Sequence, residues 1–255
     1  MAMRDEMEGL GARLFRSRSY LPIPVLVLLL LTMHDPPLHG SVRALHGWDL
    51  FCLAVGLAGL AVRCMSIGYA ADGTSSRRTR DLFTAELNTS GMYSIVRHPL
   101  YLGNYLLWLG PTLFCRSLPL VVIVTLLFWL YYERIMLAEE QQLRIQFGTN
   151  FEEWAKQTPA FIPRLRQWRA PRGEFRAHKV LLSESNSLLA LLVVLLCFEM
   201  LVNLEWTGGI VLDEWWYAPL VITAALTIYT RTYKALRRRT HRRSRNAMLA
   251  QEQIG

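Results

Sequence analysis

The stretch YSIVRHPLYLGN, residues 93 to 104, sets Arg97, His98 and Pro99 directly before a run of mostly apolar residues. Pro99 lacks a backbone N–H and restricts His98 to extended conformations, so a helix is expected to begin at Pro99 or Leu100. Arg97 and His98 then flank the positive end of that helix, where free amides attract an anion such as a carboxylate. The plainer reading is that both residues anchor a membrane span at the head-group level. A second group of chemistry-bearing residues follows some forty positions on, in AEEQQLR, where Glu139 and Glu140 supply adjacent carboxylates. Glu140 has Arg144 one helical turn away as a ready partner. Glu139 has none at that spacing, which makes it the better candidate for a site. Gly103 and Gly110 share a face of the expected helix and permit close approach of another backbone or a ligand.

The elements that must position these residues are membrane helices. Of the 255 residues 52% are hydrophobic, and they gather in long blocks instead of alternating. That pattern describes an all-α, polytopic helical membrane protein. Six blocks approach the length of a span: Tyr20 to Met33, Trp48 to Ala70, Tyr101 to Phe114, Leu118 to Leu137, Ser187 to Leu204 and Trp215 to Tyr229. Arginines crowd the N-terminus, the connections 71–100 and 138–186, and the tail, whereas the alternate loops hold few. Six crossings with both termini in the cytoplasm satisfy the positive-inside rule at every loop. The chain divides into N-terminal spans and their connection (1–90), a core (91–163) and a two-helix extension with a basic tail (164–255).

Two spans of the core make a tight helical hairpin turning through CRSLP, residues 115 to 119. Its second arm runs into a stretch where Leu143, Phe147, Phe151 and Trp154 recur at helical spacing. One amphipathic helix lying on the membrane or against the bundle is expected there.

The combination GMYSIVRHPLYLGN, hairpin, AEEQQLRIQFGTNFEEWAKQTPAFIP resembles the isoprenylcysteine carboxyl methyltransferase family and its relatives, the phospholipid methyltransferases. That family carries an RHPxYxG motif, a hairpin, then EExxL, FGxxYxxY and a closing proline segment. The matching positions are Arg97, His98, Pro99, Tyr101, Gly103, Glu139, Glu140, Leu143, Phe147, Gly148 and Pro159; Phe151 and Trp154 replace tyrosines. The resemblance implies an S-adenosylmethionine-dependent methyltransferase whose cofactor is lined by His98, Pro99, Leu100, Tyr101, Gly103 and Glu139. Carboxylates and aromatic faces suit a sulfonium cation. It further implies a membrane lipid or lipidated substrate entering from the bilayer, with Arg134 nearest the family's basic substrate-positioning residue. The extension at 164–255 departs from the family pattern.

Other features narrow the reading. The net charge of +8 is carried by loops and tail, which fits anionic lipids, at the basic tail above all, rather than nucleic acid. Cys52, Cys64, Cys115 and Cys197 have no metal or redox spacing, and His34, His39 and His46 match no common metal motif. No GxGxxG occurs, which excludes the soluble Rossmann-type methyltransferase. Arg63 and Glu199 lie within spans, where an ionisable group either serves a site or snorkels to the interface. Of the basic residues, 25 are arginine and 3 lysine, a composition that points to a bacterial inner membrane over the endoplasmic reticulum. Two other classes of function remain open: an NADPH-dependent sterol-type reductase, against which Asn104 stands in place of a glutamate, and a non-catalytic protein of the same fold.

Overall fold

The computed structural model describes residues 9–11, 13–15, 42–70, 86–207, 209 and 214–252. These residues form helices and connections, with no strand among them: α1 (Val42–Tyr69), α2 (Met92–Ile95), α3 (Pro99–Phe114), α4 (Leu118–Phe147), α5 (Thr149–Gln157), α6 (Ala177–Thr207) and α7 (Tyr217–Glu252). Two 3-10 turns, Leu165–Gln167 and Glu214–Trp216, precede α6 and α7.

Among the described residues, three helices are long and apolar enough to cross a membrane: Gly47–Tyr69 within α1, Leu118–Phe147, and Ala177–Leu201 within α6. Only 28 to 33% of the most apolar window in each is buried inside the protein, so most of their apolar surface faces outward, as lipid exposure demands. The expected count of six spans is therefore not reached among the described residues. Helix α3 has 16 residues, about 24 Å at 1.5 Å each, which is short of a hydrocarbon layer of roughly 30 Å. In α7 the apolar part gives way to charge from Arg231 onward. The block Tyr20 to Met33 lies outside the described residues, as do Arg77, Arg78, Arg80, His34 and His39.

Glycines explain how α1 and α3 meet. A Cβ on Gly59 would fall 2.6 Å from the Gly103 carbonyl oxygen and 2.8 Å from the Leu107 amide nitrogen. A Cβ on Gly110 would fall 2.7 Å from the Cys52 carbonyl oxygen. Small residues on both helices thus let the two backbones touch, the usual means of packing where lipid removes the hydrophobic drive. The Gly103 and Gly110 face therefore receives a backbone, that of α1.

Helices α3 and α4 form the expected hairpin, closed by Cys115, Arg116 (φ 53) and Ser117. At the hairpin's turn, Phe114, Leu120 and Val124 pack with Cys52, Leu191, Leu195 and Phe198. At its open end, Tyr101, Phe128, Tyr132, Ile135 and Met136 pack with Phe15 from the N-terminal segment. Helix α6 runs back along α1 and α7 back along α6, with the Trp216 indole N–H donating to Glu199 and the Ser185 and Thr230 hydroxyls 3.0 Å apart. Glu199 is thus partnered inside the bundle and does not snorkel.

The amphipathic stretch after α4 is not one helix. Gly148, at φ 52, breaks it, and α5 folds away so that Phe151 is fully buried. The Trp154 indole N–H donates to the Tyr93 carbonyl at 3.2 Å.

Candidate active site

Helix α3 begins at Pro99 with His98 as its N-cap. The His98 carbonyl accepts from the amides of Tyr101 and Leu102, both at 3.1 Å. The segment before it is held by the proline strap that follows α5: Arg97 N–H donates to Pro159 at 2.8 Å, His98 N–H to Ala160 at 3.2 Å, and Arg164 N–H to Ile95 at 3.0 Å. With those two amides used and Pro99 lacking one, the anion-binding capacity of the helix start is reduced to Leu100.

The side chains converge on the last turns of α4. His98 Nε2 donates to Glu140 Oε1 at 2.9 Å, and its Nδ1 lies 3.6 Å from Glu139 Oε2. Tyr101 Oη donates to Glu139 Oε1 at 2.5 Å, while the Arg97 guanidinium donates to Glu140 Oε2 at 3.1 Å. The His98 and Tyr101 rings stack with centroids 5.7 Å apart. Burial disfavours the imidazolium of His98, but hydrogen bonds and charge from Glu139 and Glu140 outweigh it and hold the pKa above the ordinary value. Burial pushes the Tyr93 phenol up, with Glu139 adding to the effect. The cluster is close to charge-balanced: two carboxylates face a guanidinium and an imidazole poised to ionise.

The helix-local expectation for Glu140 does not hold. Arg144 instead donates to Gln141 at 3.2 Å and approaches Glu152 at 3.5 Å, leaving Glu140 to the partners on the α3 side. Both carboxylates therefore stand against His98. Leu100 lies in the first turn of α3. Gly103 is buried against Arg63 and Gly59. Arg134 is not among the converging side chains; its guanidinium donates to the Leu130 carbonyl of its own helix.

A second polar network lies one turn deeper. The Arg63 guanidinium grips Glu184 of α6 with two hydrogen bonds of 2.8 Å and also donates to Asn104. Asn104 in turn donates to Tyr132 Oη at 3.2 Å. The Tyr132 ring lies 4.9 Å from that of Tyr101, so the network reaches the floor of the first cluster. Tyr132 and Glu184 lie outside the motif residues. For Tyr132 a signal existed, because Phe128, Tyr132 and Glu139 at i, i+4 and i+11 share one helical face.

Fold and site together define a helical membrane protein with a hairpin whose open end gathers paired carboxylates, a histidine and a tyrosine. A family model described as phospholipid methyltransferase matches residues 43–150. The chain is 30% identical over 166 residues to the nickel-cobalt-cadmium resistance protein NccN of Alcaligenes xylosoxydans xylosoxydans, covering 63% of this chain and 74% of that one. It is 35% identical over 117 residues to the cobalt-zinc-cadmium resistance protein CzcN of Cupriavidus metallidurans, covering 46% and 51% of the two chains. It is 30% identical over 89 residues to a protein-S-isoprenylcysteine O-methyltransferase of Schizosaccharomyces pombe, covering 35% of this chain and 36% of that one. The chain thus spans about half of CzcN and about a third of the yeast enzyme. No solved structure matches. The chain belongs to the family of isoprenylcysteine carboxyl methyltransferases and phospholipid methyltransferases, enzymes of the membrane.

Proposed function

We propose that this protein transfers a methyl group from S-adenosylmethionine to a lipid-borne or small hydrophobic acceptor: a prenylcysteine carboxylate, a phospholipid or a lipid head group. The observation that carries the reading is the convergence of Glu139 and Glu140 on His98 and Tyr101 at the open end of the hairpin. The donor set suits the cofactor. Glu139 keeps a quarter of its side chain exposed and offers an oxygen to an ammonium. Arg97 Nε is buried without a hydrogen-bond partner, a donor to spare for a carboxylate. The aromatic faces of Tyr101 and His98 offer a surface to positive charge. When bound, S-adenosylmethionine supplies an electrophilic methyl group.

The residues of the chain then do the work of positioning. Glu139, oriented by the Tyr101 hydroxyl, binds the cationic end, and Arg97 with Leu100 takes the anionic end. Pro99 sets the first turn, while Gly103 lets α3 sit close enough to α1 to hold it. In-line displacement needs alignment and a desolvated nucleophile more than proton transfer, and the packed aromatic floor of Tyr101, Tyr132 and Phe128 excludes water beneath. Arg134 is a subsidiary candidate for holding an anionic acceptor at the lipid-facing side of α4. The arginine distribution supports both termini in the cytoplasm, the basic tail supports an anionic-lipid anchor, and the two bacterial relatives support a bacterial inner membrane.

The test is calorimetric titration of the detergent-purified protein with S-adenosylmethionine, with NADPH and a Glu139→Gln variant in parallel. Saturable binding of S-adenosylmethionine weakened about tenfold or more in the variant, as loss of a charged hydrogen-bond partner implies, is expected. Binding of NADPH alone would turn the reading to a reductase, and binding of neither to a non-catalytic protein.

A further inference from the structure

We propose that the cleft between α5 and the turn at Leu165–Gln167 binds the head group of an anionic phospholipid that carries a hydrogen-bond donor, phosphatidylglycerol in particular. The cleft encloses about 300 Å3, at the low end for small-molecule sites, which suits a head group and not a whole lipid. Its lining residues include Trp154, Trp168, Arg166 and Arg169, and none of them is acidic. Among its lining residues, Gln167 has its Oε1 buried with no hydrogen-bond partner, an arrangement that costs free energy unless a donor reaches it.

These three features specify a ligand. Arg166 and Arg169 call for a phosphate, the group that guanidinium forks bind best. The vacant acceptor on Gln167 calls for a hydroxyl or amine beside that phosphate. An ethanolamine ammonium would meet the two guanidinium charges unfavourably, whereas the hydroxyls of a phosphoglycerol would not. A choline head group has no donor to give.

The surroundings mark the source as a membrane and not the solvent. Leading to and from the cleft, Ile162 and Leu165 are 78% and 75% exposed, and Trp168 and Phe175 are also exposed. Four arginines, at 164, 166, 169 and 172, alternate with them. Apolar side chains and a tryptophan exposed among arginines are the composition of a segment that rests at the head-group level. The segment also lies at the right end of the bundle. Arg176 N–H donates to Gly68 at 3.0 Å, at the end of α1, and the strap that contains Ile162 pairs with the residues before α3.

The site is distinct from the His98 cluster and from the basic tail, and it does not depend on the methyltransferase reading. Its lining includes Ser94, three residues before Arg97, whose hydroxyl accepts from Arg169 N–H at 2.9 Å.

The experiment titrates the full detergent-purified chain with dihexanoyl-phosphatidylglycerol, dihexanoyl-phosphatidylcholine and inorganic phosphate, each below its micelle concentration where one applies. The phosphatidylglycerol is expected to saturate one site at the cleft, tighter than its diffuse association with the basic tail. Arg166→Gln with Arg169→Gln should weaken it about tenfold or more, and Gln167→Leu several-fold, as lost charged and neutral hydrogen bonds imply. Arg116→Gln, at the hairpin's turn beside Asp49, should leave the affinity unchanged. Unaltered thermal unfolding shows that the variants fold, and Gln167→Leu, which keeps both arginines, provides the test should the double variant not fold. Equal binding of the choline lipid, or wild-type affinity in the variants, would overturn the proposal. Phosphate binding as tightly as the lipid would make this a soluble-anion site, and competition by S-adenosylmethionine would assign the cleft to the methyl donor; either result also overturns it.

Discussion

Replacing Glu184 with leucine isolates what the Arg63 pair contributes. Glu184 and Arg63 are 4% and 12% exposed at their side chains, so the substitution leaves a guanidinium inside the bundle with Asn104 as its remaining partner. Breaking a buried pair in this way costs about 3–5 kcal/mol. A double variant, Arg63→Met with Glu184→Leu, removes both charges, and replacing a buried pair by apolar groups of similar size is often close to neutral. It does not return to wild type, because Asn104 Oδ1 loses the donor it has in Arg63, a loss of about 1–3 kcal/mol. The double variant should therefore be more stable than the single Glu184→Leu variant by roughly 2 kcal/mol. In a chain of this size 1 kcal/mol moves Tm by about 2–4 °C, so the single variant should fall by about 6–20 °C and the double by about 2–12 °C. Thermal unfolding in detergent, followed by circular dichroism, reads both. If Glu184→Leu unfolds with the wild type, or if the two substitutions add instead of compensating, the guanidinium is not held as described and the reasoning fails.

Two further outcomes follow from the packing and the charges. Gly59→Ala puts a methyl group against the α3 backbone, which has no flexible atom to yield, and should cost about 1–3 kcal/mol; Gly9→Ala, with open space around it, should be within about 0.5 kcal/mol of wild type, both measured by thermal unfolding. For His98 the folded pKa is raised above 6.5, so its stabilisation is fully present below about pH 6.5 and is lost as pH rises through the folded value. The Tm of the wild type should decline as pH rises above about 6.5 while that of His98→Gln stays flatter, and parallel profiles would refute the assignment.

What the sequence made legible was local. The start of α3 follows from Pro99, because a residue without an N–H fits only the first turn. The hairpin follows from two apolar blocks with a short polar turn. The breaks and pairings that depend on distant residues were not legible. Gly148 reads as one more residue of a periodic amphipathic stretch; only the packing of Phe151 and the Trp154 bond to Tyr93 show why the helix ends there. Glu140 reads as the partner of Arg144 by the i, i+4 rule, worth a few tenths of a kcal/mol. A buried imidazole and a guanidinium from the residues just before α3 offer more and take it. Arg63 and Glu184 stand 121 positions apart, and no periodicity connects two charges in different spans.

That last pair bears on the two helices beyond the proline strap, which the family motif does not include. Were α6 merely appended, its charge at Glu184 would be an expense with no return, since a carboxylate within a span is disfavoured unless paired. It is paired with the one guanidinium that also holds Asn104, and Asn104 holds Tyr132 beneath Tyr101 and Glu139. Sliding α6 along α1 by one helical turn, about 5.4 Å, would break both hydrogen bonds to Glu184 and leave Arg63 free to leave Asn104. The packing of Tyr101, and with it the orientation of Glu139, therefore rests on the register of a helix outside the motif, so α6 is structurally continuous with the site.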